Sequence, residues 1–423
     1  MISRSQKTHL LALMMIVGLM INITYHYWLG AYDNLSYPYN TFLFVPRVHF
    51  SDYTSVTREG GSLNPYLGYK SAQYPLLVLV GYLFSLLPFS IYIYFFLLIA
   101  GLLFFCILFL REGGWLEYAI NIFIISLLSY PVLITIDRGN FEGLVAVVLL
   151  AFAYFFMQKR YAASAILLAI AISLKLLPVV LLALFIPERR YREIGICIVV
   201  TLLLTLASLL CFQGGLAANL NFLLHASNIT SNPFFGYFTN FKGDVVQRGT
   251  SLITLIKIIQ REFGAWTNYI DYFGENLIKI YVILAGLVGI IMALYTIFIE
   301  KETWKRFAIL TFAMLILPTI SADYKLLHIY MPLYLFINSP KKSRLDLIYL
   351  ILFGLLLVPK DYYYLQHIGS EAGFDISLSV PFNILILMAF SAILMISGAK
   401  DRLQGWLKSK SRISPSASTS LGA

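Results

Sequence analysis

The chain has 423 residues, of which 59% are hydrophobic and only 12% are charged. A soluble globular domain carries about 25% charged residues, so this composition excludes an ordinary soluble protein and predicts an integral membrane protein. The formal net charge of +10 does not indicate nucleic-acid binding, because the basic residues lie in short clusters between apolar runs, where they set topology and face acidic membrane lipids.

Apolar runs recur along the whole chain, and a run of about 20 residues is enough to cross a bilayer as a helix. We therefore predict a single all-α integral membrane domain over residues 1–423, a polytopic bundle of about 12 membrane elements if each of two broken runs counts twice. The predicted elements are, in chain order, 8–29, 90–110, 116–136, 141–157, a broken pair over 162–187, 193–212, 278–299, a broken pair over 307–337, 345–359 and 380–399.

The connections between these runs predict an orientation. Most of the 31 Lys and Arg residues fall in short connections that share one side, and a basic tail spans 400–423. Such connections are normally cytoplasmic, so both termini are predicted to be cytoplasmic in a multi-pass cell-membrane protein. The long loops 30–76 and 213–276 are then extracytoplasmic. The short run 75–88 is predicted to lie at the interface or to re-enter, and a loop helix is predicted over 249–259.

The first outer loop contains a candidate general base. Asp52 is flanked by Tyr53 and other aromatic residues, and Asn64 and Tyr66 follow it in the same loop. Aromatic neighbours reduce the solvation of a carboxylate and can make it a better base. The alternative is a solvated loop aspartate beside tyrosines that form an interfacial belt, and residue type alone favours that alternative.

Asp137-Arg138-Gly139-Asn140 separates two long apolar runs. An unpaired charge near the bilayer centre costs roughly 2.5–3.5 kcal/mol, so ionisable residues kept at such a junction are candidates for function. Gly139 permits a tight turn and Asn140 is suited to cap the next helix. Asp137 and Arg138 either pair to hold helices together or line an active site, and the sequence leaves both possibilities open.

Several cations fall at the predicted helix breaks. Lys175 lies inside the first broken pair, and Lys325 and His328 lie inside the second. Together with Arg138 on the same predicted side, they suit a phosphate or pyrophosphate. The alternatives are snorkelling for Lys175 and a structural hydrogen bond for His328. The histidines lack the spacing of a zinc site, although a divalent ion between two aspartates, Asp52 and Asp137, is left open.

In this order, these motifs resemble glycosyltransferase family 87, whose members have the GT-C fold. The resemblance covers most of residues 1–340. It rests on Asp52 followed by Asn64-Pro65-Tyr66 and Tyr74-Pro75-Leu76, on Asp137-Arg138-Gly139-Asn140, on Ser173-Leu174-Lys175-Leu176-Leu177-Pro178, and on the polar hairpin from Ser321 to His328.

The resemblance implies an inverting hexosyltransferase that moves a mannose-like sugar from a polyprenyl-phosphate donor to a lipid-linked or envelope glycan acceptor, on the extracytoplasmic face. It implies that Asp52 is the general base and that His328 contacts the donor phosphate, where the cationic cluster adds Lys325, Arg138 and Lys175. No cofactor is expected beyond the sugar donor. The predicted substrate-binding residues are Asp137, Asn140, Tyr53, Asn64 and Tyr66.

Two other functions fit parts of the pattern. An enzyme resembling an O-antigen polymerase or ligase would use undecaprenyl-pyrophosphate glycans, but its outer loops would be rich in arginine, and those of this chain are not. A flippase or transporter for lipid-linked sugars would also contain broken helices. Long aromatic outer loops and an acidic residue at the membrane boundary fit a transporter less well.

Overall fold

A computed structural model describes residues 2–34, 49–66, 73–110, 115–226, 249–262, 270–360 and 378–412. Over these ranges the chain is helical, and it forms no strand beyond one isolated bridge between Gly249 and Ala322. The α-helices are α1 (Arg4–Ala31), α2 (Ser51–Gly60), α3 (Pro75–Ser85), α4 (Ser90–Leu110), α5 (Trp115–Leu127), α6 (Tyr130–Arg138), α7 (Glu142–Met157), α8 (Tyr161–Leu174), α9 (Tyr191–Leu210), α10 (Gly215–Ala226), α11 (Leu252–Glu262), α12 (Ile270–Phe298), α13 (Thr303–Ile316), α14 (Tyr330–Ile337), α15 (Asp346–Leu357) and α16 (Ser379–Arg412). Two 3₁₀ helices span Leu177–Phe185 and Asp323–Ile329.

Within the described ranges, five helices are long and apolar enough to cross a membrane, namely α1, α4, α9 and the apolar parts of α12 and α16. The bent pair formed by α5 and α6 makes a sixth if the two are taken as one span. The remaining apolar helices, among them α7 and α8, have fewer than 18 residues. The prediction of an all-helical polytopic membrane protein is confirmed, whereas the count of about 12 elements stays a prediction that depends on how the shorter helices sit in the bilayer.

Both predicted broken pairs are present. Helix α8 ends at Leu174, Lys175 is extended (φ −152°, ψ 126°), and a 3₁₀ helix follows with Pro178 in its first turn. In the second pair, α13 ends at Ile316 and the 3₁₀ helix Asp323–Ile329 leads into α14. Irregular backbone inside an apolar region is tolerated where other protein groups satisfy it. At the second break Asp323 and His328 are buried, whereas at the first break Leu176 is exposed.

The continuous span predicted over 116–136 is wrong. The chain forms α5 and then α6, which are bent by 53° relative to each other. Pro131 occupies the first turn of α6. Proline lacks the amide hydrogen needed inside a helix and is tolerated at a helix start, so a new helix begins at this point.

Glycines fix the helix that carries Asp52. A Cβ atom at Gly60 of α2 would lie 2.5 Å from the backbone nitrogen of Tyr82, and one at Gly81 of α3 would lie 2.6 Å from the carbonyl oxygen of Val56. Such distances are far shorter than van der Waals contact, so α2 and α3 approach as closely as they do because both positions lack a side chain. The orientation of α2 is thereby set by backbone contact.

The segment before α11 is hydrogen-bonded to the second helix break. The Thr250 amide donates to the carbonyl oxygen of Ser321 at 3.0 Å, and the two hydroxyls lie 2.7 Å apart. The predicted loop helix over 249–259 corresponds to α11. Much of the predicted outer loops and tail lies outside the described residues, namely 35–48, 67–72, 227–248, 263–269 and 413–423.

Candidate active site

The Asp52 carboxylate is held by both of its oxygens. Its Oδ1 accepts a hydrogen bond from Arg138 Nη2 at 2.6 Å, and its Oδ2 accepts one from Asn140 Nδ2 at 2.6 Å. The side chain remains 21% exposed. Asp52 lies in the first turn of α2, which begins just after Phe50, and the Phe50 amide donates to the carbonyl oxygen of Asp137 at 2.9 Å. The outer-loop aspartate and the polar motif predicted from sequence therefore meet.

The polar motif forms the turn between α6 and α7. Helix α6 ends at Arg138, and Gly139 caps it in the left-handed conformation with φ of +63°. A Cβ atom there would lie 2.7 Å from the Tyr53 Cβ, so this position needs glycine for its backbone angle and for its space. Asn140 Oδ1 accepts the amide of Glu142 at 2.8 Å. The N-cap position itself is occupied by Phe141, which makes no side-chain capping bond, so Asn140 binds the first amide of α7 from one residue before that position.

The carboxylate of Glu142, the first residue of α7, lies close to cationic side chains from both helix breaks. Its Oε1 lies 3.8 Å from Lys175 Nζ and its Oε2 lies 3.3 Å from His328 Nε2. The Glu142 and His328 side chains are only 2% and 3% exposed. Lys325 also lies in the electrostatic field of Glu142, while its Nζ donates to the carbonyl oxygen of Ile320 at 2.8 Å. Both lysines therefore interact electrostatically with the single carboxylate of Glu142.

The two nitrogens of the His328 ring have different surroundings. Nε2 faces Glu142, whereas Nδ1 is buried and has no hydrogen-bond partner among the residues that the structure describes. A buried polar atom is normally satisfied, and an orphaned one in a native structure calls for an explanation such as a bound ligand.

Two further carboxylates lie in the same region. Asp137 Oδ1 is 2.5 Å from His49 Nδ1. Asp323, in the same 3₁₀ helix as His328, accepts a hydrogen bond from the Tyr130 hydroxyl at 2.6 Å and lies 3.5 Å from Asn383 Nδ2. The acidic residues at positions 52, 137, 142 and 323 therefore contact different polar partners.

Aromatic side chains pack around the backbone segments that carry Asp52 and Asn140. The Tyr53 ring stacks on Phe141 with centroids 5.6 Å apart and planes 6° from parallel, and its hydroxyl donates to Ser90 Oγ at 2.6 Å. Burial raises the pKa of Tyr53 above its ordinary value. The Tyr94 hydroxyl donates to the carbonyl oxygen of Asn140. Here the aromatic residues fix the backbone, while the groups that contact the Asp52 carboxylate are the Arg138 guanidinium, the Asn140 amide and, at 3.4 Å, the Ser51 hydroxyl.

Asn64 and Tyr66 lie in a different neighbourhood, near the end of α9. Asn64 Nδ2 donates to Gln213 Oε1 at 2.7 Å. The Tyr66 hydroxyl donates to the carbonyl oxygen of Gln73 at 3.1 Å, and its buried ring meets Phe212 edge-on. Their contacts within the described residues are with this region rather than with Asp52, and their role in substrate binding stays a prediction.

A metal site would need a convergent set of donors. The part of the chain that the structure describes contains no group of three or more His, Cys, Asp and Glu side chains placed to hold a metal ion. Asp52 and Asp137, the pair considered from sequence, instead contact Arg138 and His49 respectively.

Glu142 is the main site residue that the sequence-based prediction lacked. A carboxylate at the start of an apolar run is costly to bury without a cation, and the cations at the two helix breaks needed a counter-charge. These two facts together could have paired Glu142 with Lys175 and His328. Tyr94 gives no such signal, because it is one of many aromatic residues in an apolar run.

The sequence was compared with models of protein families. The sequence profile of glycosyltransferase family 87 matches residues 74–321, which is more than half of the chain. The matched segment contains Arg138, Asn140, Glu142 and Lys175 and stops shortly before His328. A search of curated protein sequences finds no match.

Proposed function

Because the chain belongs to glycosyltransferase family 87 and is a membrane glycosyltransferase, we propose that it transfers a mannose-like hexose from a polyprenyl-phosphate donor to a lipid-linked or envelope glycan acceptor. The transfer inverts the anomeric centre and takes place on the extracytoplasmic face of a GT-C-type bundle, with both termini cytoplasmic. The clustering of basic residues in short connections supports this orientation.

The position of Asp52 is the observation that carries the proposal. An ionised carboxylate offers about four lone-pair positions, and Arg138 and Asn140 occupy two of them. The side chain is still partly exposed, so an acceptor hydroxyl can reach a remaining position. Two fixed contacts hold the carboxylate in one orientation, as a positioned general base requires.

The reaction is a single displacement. The acceptor oxygen bonds to the anomeric carbon while its proton passes to Asp52, and the bond from that carbon to the phosphate oxygen breaks. Polyprenyl phosphate leaves as an anion, so the site needs a base and anion stabilisation more than a strong general acid.

The cations beside Glu142 supply the anion stabilisation. Lys175 Nζ lies 3.8 Å from Glu142 and Lys325 Nζ donates to the carbonyl oxygen of Ile320, so this cluster contains more cations than carboxylates. An excess of positive charge suits an anionic phosphodiester donor. Asp137, Asn140 and Tyr53, which lie beside Asp52, complete the proposed sugar site, and Arg138 lies between the base and the donor.

The experiment is transfer of labelled hexose from polyprenyl-phosphate mannose, and from the glucose analogue, to envelope lipids by the purified protein in nanodiscs. We expect Asp52→Asn and Asp52→Ala to lower kcat by about 10²–10⁴-fold. Asp33→Asn, which changes an exposed carboxylate just after α1, is the matched control. Full turnover in both Asp52 variants would remove the proposed base, and inert wild-type protein with every donor would overturn the donor class.

A further inference from the structure

We propose that Glu142 is a positioning residue for the donor phosphate, which orients His328 and Lys175 so that His328 Nδ1 and Lys175 Nζ both bind it. This inference rests on the proposed function, because it assumes a phosphate-linked donor. The family profile and the sequence motifs assign no role to Glu142.

The first argument is geometric. The two oxygens of Glu142 contact different partners, one the ammonium of Lys175 and the other the imidazole of His328. Lys175 is the extended residue at the first helix break, and His328 belongs to the 3₁₀ helix of the second. A single carboxylate therefore fixes the relative position of two cationic groups that lie 153 residues apart in the numbering.

The second argument concerns the imidazole ring. A nitrogen that faces a carboxylate carries the hydrogen and donates it, so Glu142 selects the ring orientation in which Nε2 is occupied. Nδ1 is then the nitrogen available to a ligand, and it is the buried atom without a partner among the described residues. In the donor complex the ring carries both protons. Nδ1–H donates to a phosphate oxygen, and Glu142 balances the charge, as a carboxylate does for a catalytic imidazolium.

The third argument is that Glu142 is itself fixed. Its amide donates to Asn140 Oδ1 at 2.8 Å, and the same Asn140 side chain donates from Nδ2 to Asp52. The carboxylate that orients the phosphate ligands and the proposed base are thus separated by one amide side chain.

Direct binding of a phosphate ligand tests this role without turnover. The dissociation constant of farnesyl phosphate is measured for the wild-type protein, Glu142→Gln and Glu142→Asp, with neutral farnesol as the uncharged probe. We expect Glu142→Gln to weaken farnesyl phosphate binding by about 10- to 100-fold, the effect of losing a hydrogen bond to a charged group, and to leave farnesol binding unchanged. Glu142→Asp keeps the charge and recovers part of the affinity.

A mutant cycle separates positioning from a structural role. Because Glu142 acts through the imidazole and the ammonium, Glu142→Gln has little further effect in a His328→Gln/Lys175→Met background. Glu188→Gln is the matched control, because it removes a carboxylate that contacts Arg306 at 3.2 Å outside this cluster, and it leaves farnesyl phosphate binding unchanged. In the transfer assay, Glu142→Gln raises the KM of the donor and not that of the acceptor.

Each outcome decides a different point. An unchanged dissociation constant in Glu142→Gln overturns the inference and leaves the proposed function standing. Wild-type protein that binds farnesyl phosphate through Glu142 but transfers no sugar overturns the function and keeps the inference. Wild-type protein that does not bind the probe overturns the inference. If Glu142→Gln does not fold, the same comparison is made between Glu142→Gln/Lys175→Met and Lys175→Met. The double variant removes the Lys175 cation together with its counter-ion Glu142.

Discussion

Asn140 Nδ2 donates to Asp52 Oδ2 at 2.6 Å, so an amide in the turn between α6 and α7 orients a carboxylate 88 positions earlier in the chain. The other atom of that amide, Oδ1, accepts the first amide of α7, that of Glu142. Because one side chain makes both contacts, substitutions at this position can separate the positioning of Asp52 from the stability of the helix.

We expect Asn140→Asp and Asn140→Ala to fail in different ways. The aspartate can still accept the Glu142 amide, but it replaces the amide donor by a like charge facing Asp52, so kcat falls and stability falls as the pH rises and both carboxyls ionise. The alanine loses both contacts and also lowers stability by about 0.5–2 kcal/mol. Transfer kinetics and thermal unfolding in detergent measure the two effects. Wild-type kcat in Asn140→Asp would show that the amide donor does not position the base.

Gly139→Ala is expected to destabilise the protein. An alanine at φ of +63° costs roughly 1–2 kcal/mol, and its Cβ would meet the Tyr53 Cβ at 2.7 Å. The matched control is Gly195→Ala within α9, where no atom lies within 4 Å of the added Cβ, and alanine there favours the helix by about 1 kcal/mol. Unfolding temperatures at one fixed scan rate should therefore shift in opposite directions. Equal shifts would contradict the argument.

The buried pair of Lys7 and Asp346 predicts a stability effect far from the candidate site. Lys7 Nζ lies 3.5 Å from Asp346 Oδ2, 3.2 Å from the Phe336 carbonyl oxygen and 3.8 Å from the Phe336 ring centroid. Asp346→Asn removes the counter-ion of a buried ammonium and should cost about 3–5 kcal/mol. Lys7→Met/Asp346→Leu, which replaces both charges, should cost much less. A double variant less stable than Asp346→Asn would refute this explanation.

Lys257 of α11 predicts a dependence of stability on pH. Burial lowers the pKa of this residue to about 8 from an ordinary value of 10.5. Below pH 8 the side chain is charged in the folded state, where burial disfavours that charge. Between pH 8 and 10.5 the folded state loses the proton first, so stability rises with pH. The unfolding temperature of Lys257→Met relative to wild type should therefore fall as the pH rises from 8 to 10.5, and should stay constant below and above this window. A difference independent of pH would contradict the prediction.

The sequence predicted the helical membrane class and both breaks well, because apolar run length, proline and isolated lysines each act locally. It failed at 116–136, where Ser129 and Pro131 begin a new helix inside a run that was predicted to be continuous because of its apolar length. Within the site, it identified the polar motif, Asp52 and His328 as candidates. These are polar residues in apolar surroundings. Because placing them there costs free energy, they can be recognised in the sequence as functional candidates.

Partner choice could not be predicted in the same way. Arg138, Lys175 and His328 were all assigned to a phosphate, but Arg138 contacts Asp52 whereas Lys175 and His328 contact Glu142. Which carboxylate meets which cation depends on how α7 packs against the two breaks, and helical periodicity does not contain that information. The proximity of Asn64 and Tyr66 to the end of α9 could not be predicted either. These residues lie in a loop, and a loop sequence has no periodicity that indicates which element it contacts.

Hydrogen bonds between Thr250 and Ser321 link the segment before α11 to the 3₁₀ helix that carries His328. Ser321 comes two residues before the 3₁₀ helix that carries His328, and two hydrogen bonds attach it to the segment that leads into α11. Because Gly249 also pairs with Ala322, a displacement of the segment before α11 acts on both residues that directly precede the 3₁₀ helix of His328.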